Sequence, residues 1–153
     1  MSHTQKFVHE LVAKHGGQRN CLIPVLQEIV AVDRFLSEEA MLAVAQEFGI
    51  SAAEVFGTAS FYTFLDTQPR GTNIIRVCKT ISCHMKGKEQ ILEALEEALD
   101  VKVGSTTSDG RFTLLTANCL GWCHKGPVVL VNNDVYPEVT PQSVVALLDK
   151  YRV

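Results

Sequence analysis

VCKTISCH, residues 77–84, and NCLGWCHKGP, residues 118–127, hold four of the chain's five cysteines. Four residues separate Cys78 from Cys83, and three separate Cys119 from Cys123. Thiols gathered in two tight pairs serve a short list of chemistries: disulfide staples, thiol–disulfide exchange, a zinc site or an iron–sulfur cluster. Each needs different surroundings, so the flanking residues have to be read before the pairs can be.

NIIRVC, ending at Cys78, is a short β-branched run that reads as a buried strand. GKEQILEALEEALD (87–100) is an amphipathic helix, with Ile91, Leu92, Leu95 and Leu99 on one face and Glu93, Glu96 and Glu97 on the other. RFTLLTAN (111–118) and PVVLVNND (127–134) read as strands, and Asn133-Asp134 signals a turn before Val135-Tyr136. Thr140 as N-cap and Pro141 at the first helical position open a last helix, TPQSVVALLDKYR. The order strand, helix, strand hairpin, helix suits a thioredoxin-like layered domain over residues 73–153. In it each pair sits at a strand-to-loop exit: Cys78 ends a strand with Cys83 in the following loop, and Cys119 ends another with Cys123 in its loop. Loops on one side of a sheet can converge, so a single four-thiolate site is expected.

Upstream the pattern is helical throughout. TQKFVHELVAKHGG has Phe7, Val8, Leu11 and Val12 at helical spacing and stops at Gly16-Gly17. CLIPVLQEIVAV (21–32) tolerates Pro24 only in a first turn. Ser37 caps SEEAMLAVAQEFG, which ends at Gly49, and a Ser51–Glu54 capping box opens SAAEVFGTASFYTFL (51–65). DTQPRGTN (66–73) is the boundary, punctuated by Pro69 and Gly71. The expected class is α+β: a helical bundle over 1–66, then the thioredoxin-like domain.

Composition narrows the chemistry. The chain has 153 residues, 46% of them apolar, and a formal charge of −3, which does not invite nucleic acid. No apolar stretch reaches membrane-span length, so no membrane insertion is expected, and MSHTQKFVHE lacks the apolar core of a signal peptide. A cytoplasmic chain is expected, where paired cysteines bind metal or do redox work more often than they form staples. Neither pair has the Cys-x-x-Cys spacing of a thiol–disulfide catalyst. Four thiolates satisfy tetrahedral zinc, so a zinc-stapled interaction module stays open; the wider first loop favours a 2Fe-2S cluster, which needs two thiolates per iron and loop N–H donors. Cys21, the odd thiol, reads as a buried packing residue in an apolar helix. His84 and His124 directly follow cysteines and read as bystanders, and Trp122 as loop packing, cluster shielding or a partner-facing ring. Gly121 and Gly126 read as turn formers.

The combined pattern resembles a known family. C-x4-C, then 35 residues, then CLGWC followed by Gly-Pro and VVLVNND-Y, is similar to the thioredoxin-like 2Fe-2S subunit of respiratory complex I, the E-type subunit of NADH dehydrogenase. The same family serves NAD(P)-linked hydrogenases, formate dehydrogenases and electron-bifurcating oxidoreductases. LSEEAMLAVAQEFGISAAEVFGTASFYTFL (36–65) resembles its helical N-terminal domain, and the likeness covers about residues 20–150. Trp122 stands where the family often has a small residue, and Gly126-Pro127 where it often has Ala-Pro. The resemblance implies that Cys78, Cys83, Cys119 and Cys123 ligate the cluster. It implies an electron-transfer subunit, not catalytic alone, beside an FMN- and 4Fe-4S-containing flavoprotein that takes hydride from NAD(P)H, with further iron–sulfur subunits. The helical half would then dock.

Overall fold

A computed structural model describes residues 2–152, and the chain divides into two compact units, Met1–Pro69 and Arg70–Val153. The first is all helical: α1 (His3–His15), a single 3-10 turn (Arg19–Cys21), α2 (Leu22–Asp33), α3 (Glu38–Phe48) and α4 (Ala52–Phe61). Polar caps set the starts. Ser37 Oγ accepts the Ala40 N–H at 3.1 Å, and Ser51 and Glu54 exchange both bonds of a capping box at 3.2 Å each. Pro24 falls in the first turn of α2, where its missing N–H costs nothing. Gly49 takes φ +62° and ends α3. The apolar stripes of the helices meet in one core that includes Val8, Leu26, Ile29, Leu36, Val44 and Val55.

Two expectations for this unit need correction. α4 stops at Phe61 and not at Leu65, because Tyr62 turns extended (φ −89°, ψ 105°); the aromatic run FYTF offers the helix little intrinsic preference. Cys21 is half-buried and not buried. It lies in the 3-10 turn at the N-cap position of α2, outside the apolar stripe.

The second unit runs β1 (Asn73–Cys78), α5 (Ile81–Met85), α6 (Lys88–Leu99), β2 (Phe112–Ala117), a 3-10 turn (Cys123–Lys125), β3 (Val129–Val131), β4 (Asp134–Tyr136) and α7 (Pro141–Asp149). The sheet order is β2-β1-β3-β4, with β1 parallel to β2 and antiparallel to β3. A parallel pair needs a crossover, and α6 provides it. All six residues of β1 are buried, as the β-branched run requires. Ile75 and Val77 share a core with Ile91 and Leu95 of α6, Leu114 of β2 and Leu148 of α7. Leu92, expected on the buried face, is only half-buried against it.

The strand expected over 127–134 is shorter, and the chain reverses at Asn132-Asn133. Asn132 takes φ +53°, a conformation asparagine tolerates. Its side-chain oxygen accepts the Ile74 N–H at 2.9 Å while its own N–H donates to the Ile74 carbonyl at 2.9 Å. One residue therefore turns the hairpin and completes the ladder of β1. At the C-terminal end the Tyr136 and Tyr151 hydroxyls lie 2.8 Å apart, and Tyr151 donates to Asp134 at 2.7 Å. Burial and these two neighbours hold the Tyr151 hydroxyl protonated well above the usual tyrosine range. Among the described residues no helix is long and apolar enough to cross a membrane.

Gly71 enters the second unit against the backbone of β2: a Cβ there would stand 2.9 Å from the Phe112 carbonyl carbon and 3.0 Å from the Gly110 oxygen. Its N–H donates to Thr113 Oγ1 at 2.7 Å, so the segment cannot drift away freely. Gly71→Ala should cost about 1–3 kcal/mol of stability, visible as an earlier denaturant midpoint; an unchanged midpoint would show that the contact relaxes.

Candidate metal centre

Parallel register decides where the cysteines go. Cys78 pairs with Ala117, and the Lys79 N–H donates to the Ala117 carbonyl at 2.8 Å, so β1 and β2 end side by side. Cys78, the last residue of β1, and Cys119, two residues past β2, therefore emerge at the same edge. Beyond Cys78 the chain turns into α5, where the Cys83 and His84 N–H groups both donate to the Thr80 carbonyl, at 3.1 and 3.0 Å. Cys83 thus sits on a short helix, not in the open loop expected, and faces inward. Cys123 opens a 3-10 turn, and its Sγ lies 3.1 Å from that of Cys119. Cys78 and Cys83 are 1% exposed and pack with Val128; Cys119 is exposed and Cys123 half-buried.

Donors surround the sulfurs. Thr80 Oγ1 is 3.2 Å from Cys78 Sγ, and the Gly121 N–H donates to Cys119 Sγ at 3.3 Å. Burial pushes the Cys78 thiol up. The hydroxyl and N–H of Thr80, the N–H of Leu120 and the Cys83 side chain outweigh it, and the thiol comes down from its ordinary value. Cys83 is raised, by burial and then by its hydrogen bond to Cys78 and the charge there, with the Val128 N–H opposing. Cys123 is raised by its bond to Cys119, by burial, and by negative charge on Cys119, Cys78 and Cys83. Charge on either buried thiol thus reaches Cys123, so both pairs belong to one electrostatic unit.

Four such thiolates repel one another and can coexist only if positive charge is placed among them. Among the described residues no group of three or more His, Cys, Asp and Glu side chains closes around a single ion. Two pairs, each able to hold one iron, with N–H donors aimed at the sulfurs, fit the donor set of a dinuclear cluster. A profile of the thioredoxin-like 2Fe-2S ferredoxin family matches residues 8–152.

The chain belongs to that family. A relative from Escherichia coli strain K12, named as the E subunit of NADH-quinone oxidoreductase, is 42% identical over 118 residues, covering 77% of this chain and 71% of the relative. Its namesake from Buchnera aphidicola (Acyrthosiphon pisum) has the same identity over 77% and 73%. The NADP-reducing hydrogenase subunit HndA of Solidesulfovibrio fructosivorans is 36% identical over 95% of this chain and 83% of its own. An NAD+-reducing NiFe-hydrogenase in its air-oxidised state shares the fold, at TM-score 0.76 and 23% identity, over 86% of this chain and 23% of that one.

For a thioredoxin-like 2Fe-2S ferredoxin, the residues the sequence left unread are the supports. Thr80, two residues after Cys78, stands at the N-cap of α5, a position its residue type signals, but its hydroxyl turns to the Cys78 sulfur and caps nothing. Lys86 carries no such signal, yet its Nζ donates to the carbonyls of Cys123 and His124. His84 Nδ1 faces Glu89 Oε1 at 3.2 Å, and the His124 ring stacks on Trp122 with centroids 5.9 Å apart. Gly121 has φ +85°, as a turn former should. Gly126 does not: its φ is −73°, and its peptide to Pro127 is cis.

What Gly126 supplies is room, since a Cβ there would stand 3.1 Å from Cys83 Sγ and 3.4 Å from Lys86 Cδ. In Gly126→Ala the Cys83 thiol must give by a few tenths of an ångström, a small-to-large change in a packed site. We expect less iron bound per chain and an altered electron paramagnetic resonance (EPR) spectrum after reduction; wild-type iron content and spectrum would show the space to be slack.

Proposed function

We propose that Cys78, Cys83, Cys119 and Cys123 hold one 2Fe-2S cluster, and that the chain is the electron-transfer subunit of a multisubunit NAD(P)-linked oxidoreductase. The observation that carries this reading is the convergence of two thiol pairs at one sheet edge, with N–H and hydroxyl donors turned toward the sulfurs. When bound, such a cluster supplies a one-electron carrier with all iron positions filled by sulfur. Thr80 and the N–H groups of Leu120, Gly121 and Val128 hold the thiolates in place and offset their charge. The partner implied is a flavoprotein bearing FMN and 4Fe-4S centres, with NAD(P)H bound there, together with further iron–sulfur subunits. We place the assembly on the cytoplasmic side, where five free thiols stay reduced.

Colour separates this reading from a zinc-stapled interaction module. The purified chain should be brown, bleach with dithionite, and give a reduced-state EPR signal with a potential within a few hundred millivolts of about −400 mV. Serine at Cys78, Cys83, Cys119 or Cys123 should abolish or reshape that signal, while Cys21→Ser leaves it intact. A colourless, zinc-loaded protein would overturn the reading, and loss of signal in Cys21→Ser would overturn the ligand set.

The helical unit is proposed as the docking element, spanning about residues 1–66. Phe56, Phe61, Tyr62 and Phe64 are large and exposed on α4 and just beyond it, and exposed apolar side chains gathered on one segment are what an interface offers a partner. A fragment beginning at Asn73 should fold around the cluster but capture the flavoprotein weakly. Capture equal to that of the full chain would remove the docking role.

A further inference from the structure

One side chain fastens the two cysteine-bearing segments together. Lys86 follows α5, and its ammonium donates to the carbonyl oxygens of Cys123 at 3.0 Å and His124 at 3.1 Å. Its stem lies beside Gly126, where the Cys83 sulfur also packs. Stem, glycine and thiol form one stack, and the charge at its end is held over the turn that opens with Cys123. Both acceptors are neutral carbonyls. Lys88 differs, since its ammonium sits 2.7 Å from the Glu89 carboxylate, which offsets it locally.

The setting is locally basic in an acidic protein. Residues 76–90 and 117–127 together hold five of the fourteen lysines and arginines but one of the seventeen acidic residues. The Lys86 ammonium binds the carbonyl of Cys123 itself, whose sulfur lies 3.1 Å from that of Cys119. A cation anchored at that turn therefore stands where added negative charge would be felt.

We propose that Lys86 is a positioning residue of the cluster site: it clamps the Cys123 turn to the Cys83 helix, and its fixed charge favours the reduced state. This rests on the cluster reading above. Reduction adds one electron, delivered by a partner or by dithionite, and so one negative charge. A nearby cation stabilises the more negative state, which raises the potential. A lysine free to swing into solvent would act weakly, because screening removes most of its effect. Two hydrogen bonds remove that freedom.

The test compares full-length wild type with Lys86→Gln, Lys86→Arg and, as a control for charge without anchoring, Lys79→Gln. Lys79 follows Cys78 directly and is exposed, as Lys86 is, so the two differ in the hydrogen bonds that hold Lys86. Iron and sulfide per chain are measured first, then the midpoint potential by dithionite titration followed by EPR, at ionic strengths of about 0.01 M and about 1 M, where screening lengths are roughly 30 and 3 Å. We expect Lys86→Gln to bind less cluster, or to bind it at a clearly more negative potential. Lys86→Arg should stay close to wild type, Lys79→Gln should shift less than Lys86→Gln, and high salt should shrink the Lys79→Gln shift by a larger fraction than the Lys86→Gln shift. A wild-type potential and full loading in Lys86→Gln would overturn the proposal, as would an equal shift in Lys79→Gln. Equal loss of cluster in Lys86→Gln and Lys86→Arg would assign the role to packing of the stem and also overturn it. The wild-type spectrum judges the cluster reading independently, because a colourless wild type fails before any variant is compared.

Discussion

The parallel pairing of β1 with β2 is the constraint on which the site depends. In an antiparallel pair, successive strands end at opposite edges, and loops leaving their C-terminal ends lie a strand length apart. Parallel pairing in the register Cys78 to Ala117 brings both exits together, and the bond from Lys79 to Ala117 carries the alignment one residue past the strand. The four-thiol site is then a consequence of topology. α6 makes the crossover possible, and its buried Ile91, Leu95 and Leu99 make it favourable. Asn132 closes the other side of β1, so the strand that ends in Cys78 is held along both edges.

Given the edge, the chemistry of the site is a balance of like charges. Burial raises the Cys78 thiol, but Thr80 and the Leu120 N–H favour its charged form and bring it below its ordinary value. Cys83 and Cys123 are pushed the other way, largely by burial and by the thiols beside them. Cys78, Cys83 and Cys123 are therefore not equivalent. Positive charge placed among them would offset the mutual repulsion that raises Cys83 and Cys123, which couples their ionisation to metal uptake. Protein donors assist in offsetting that repulsion. The Thr80 hydroxyl, the loop N–H groups and the Lys86 ammonium are all oriented by backbone that the β1–β2 edge has already placed.

Much of this is legible in the sequence, and the parts that are not have physical reasons. Caps announce themselves at Ser37, Ser51 and Thr140, because a hydroxyl three residues ahead of a free N–H is a local signal. The β-branched NIIRVC run and the Ile91, Leu95, Leu99 stripe are equally local. The thiol spacings and the family likeness point to the centre itself. Apolar periodicity carries α4 four residues too far because it continues through FYTF, while the helix end is set by the dihedrals of Tyr62. The hairpin turn comes one residue earlier than the pattern suggests because Asn132, Asn133 and Asp134 are equally good turn residues, and only docking onto Ile74 selects the first. Gly126 looks like a source of unusual dihedrals when its contribution is the absence of a side chain. Lys86 is invisible for a related reason: its partners lie 37 and 38 residues away, and no local pattern records them.

The unequal burial of the two cysteine pairs gives the centre a front and a back. Behind it stand Cys78 and Cys83, closed in by the sheet edge and Val128. At the front, Cys119 meets solvent, and Trp122 is exposed between it and Cys123. Electron transfer falls off steeply with distance, so a molecule touching the front is separated from the sulfurs by little more than a side chain. One approaching from behind must work through a packed core. Access to a cluster held here would thus be set by which cysteine pair was buried and which was left open.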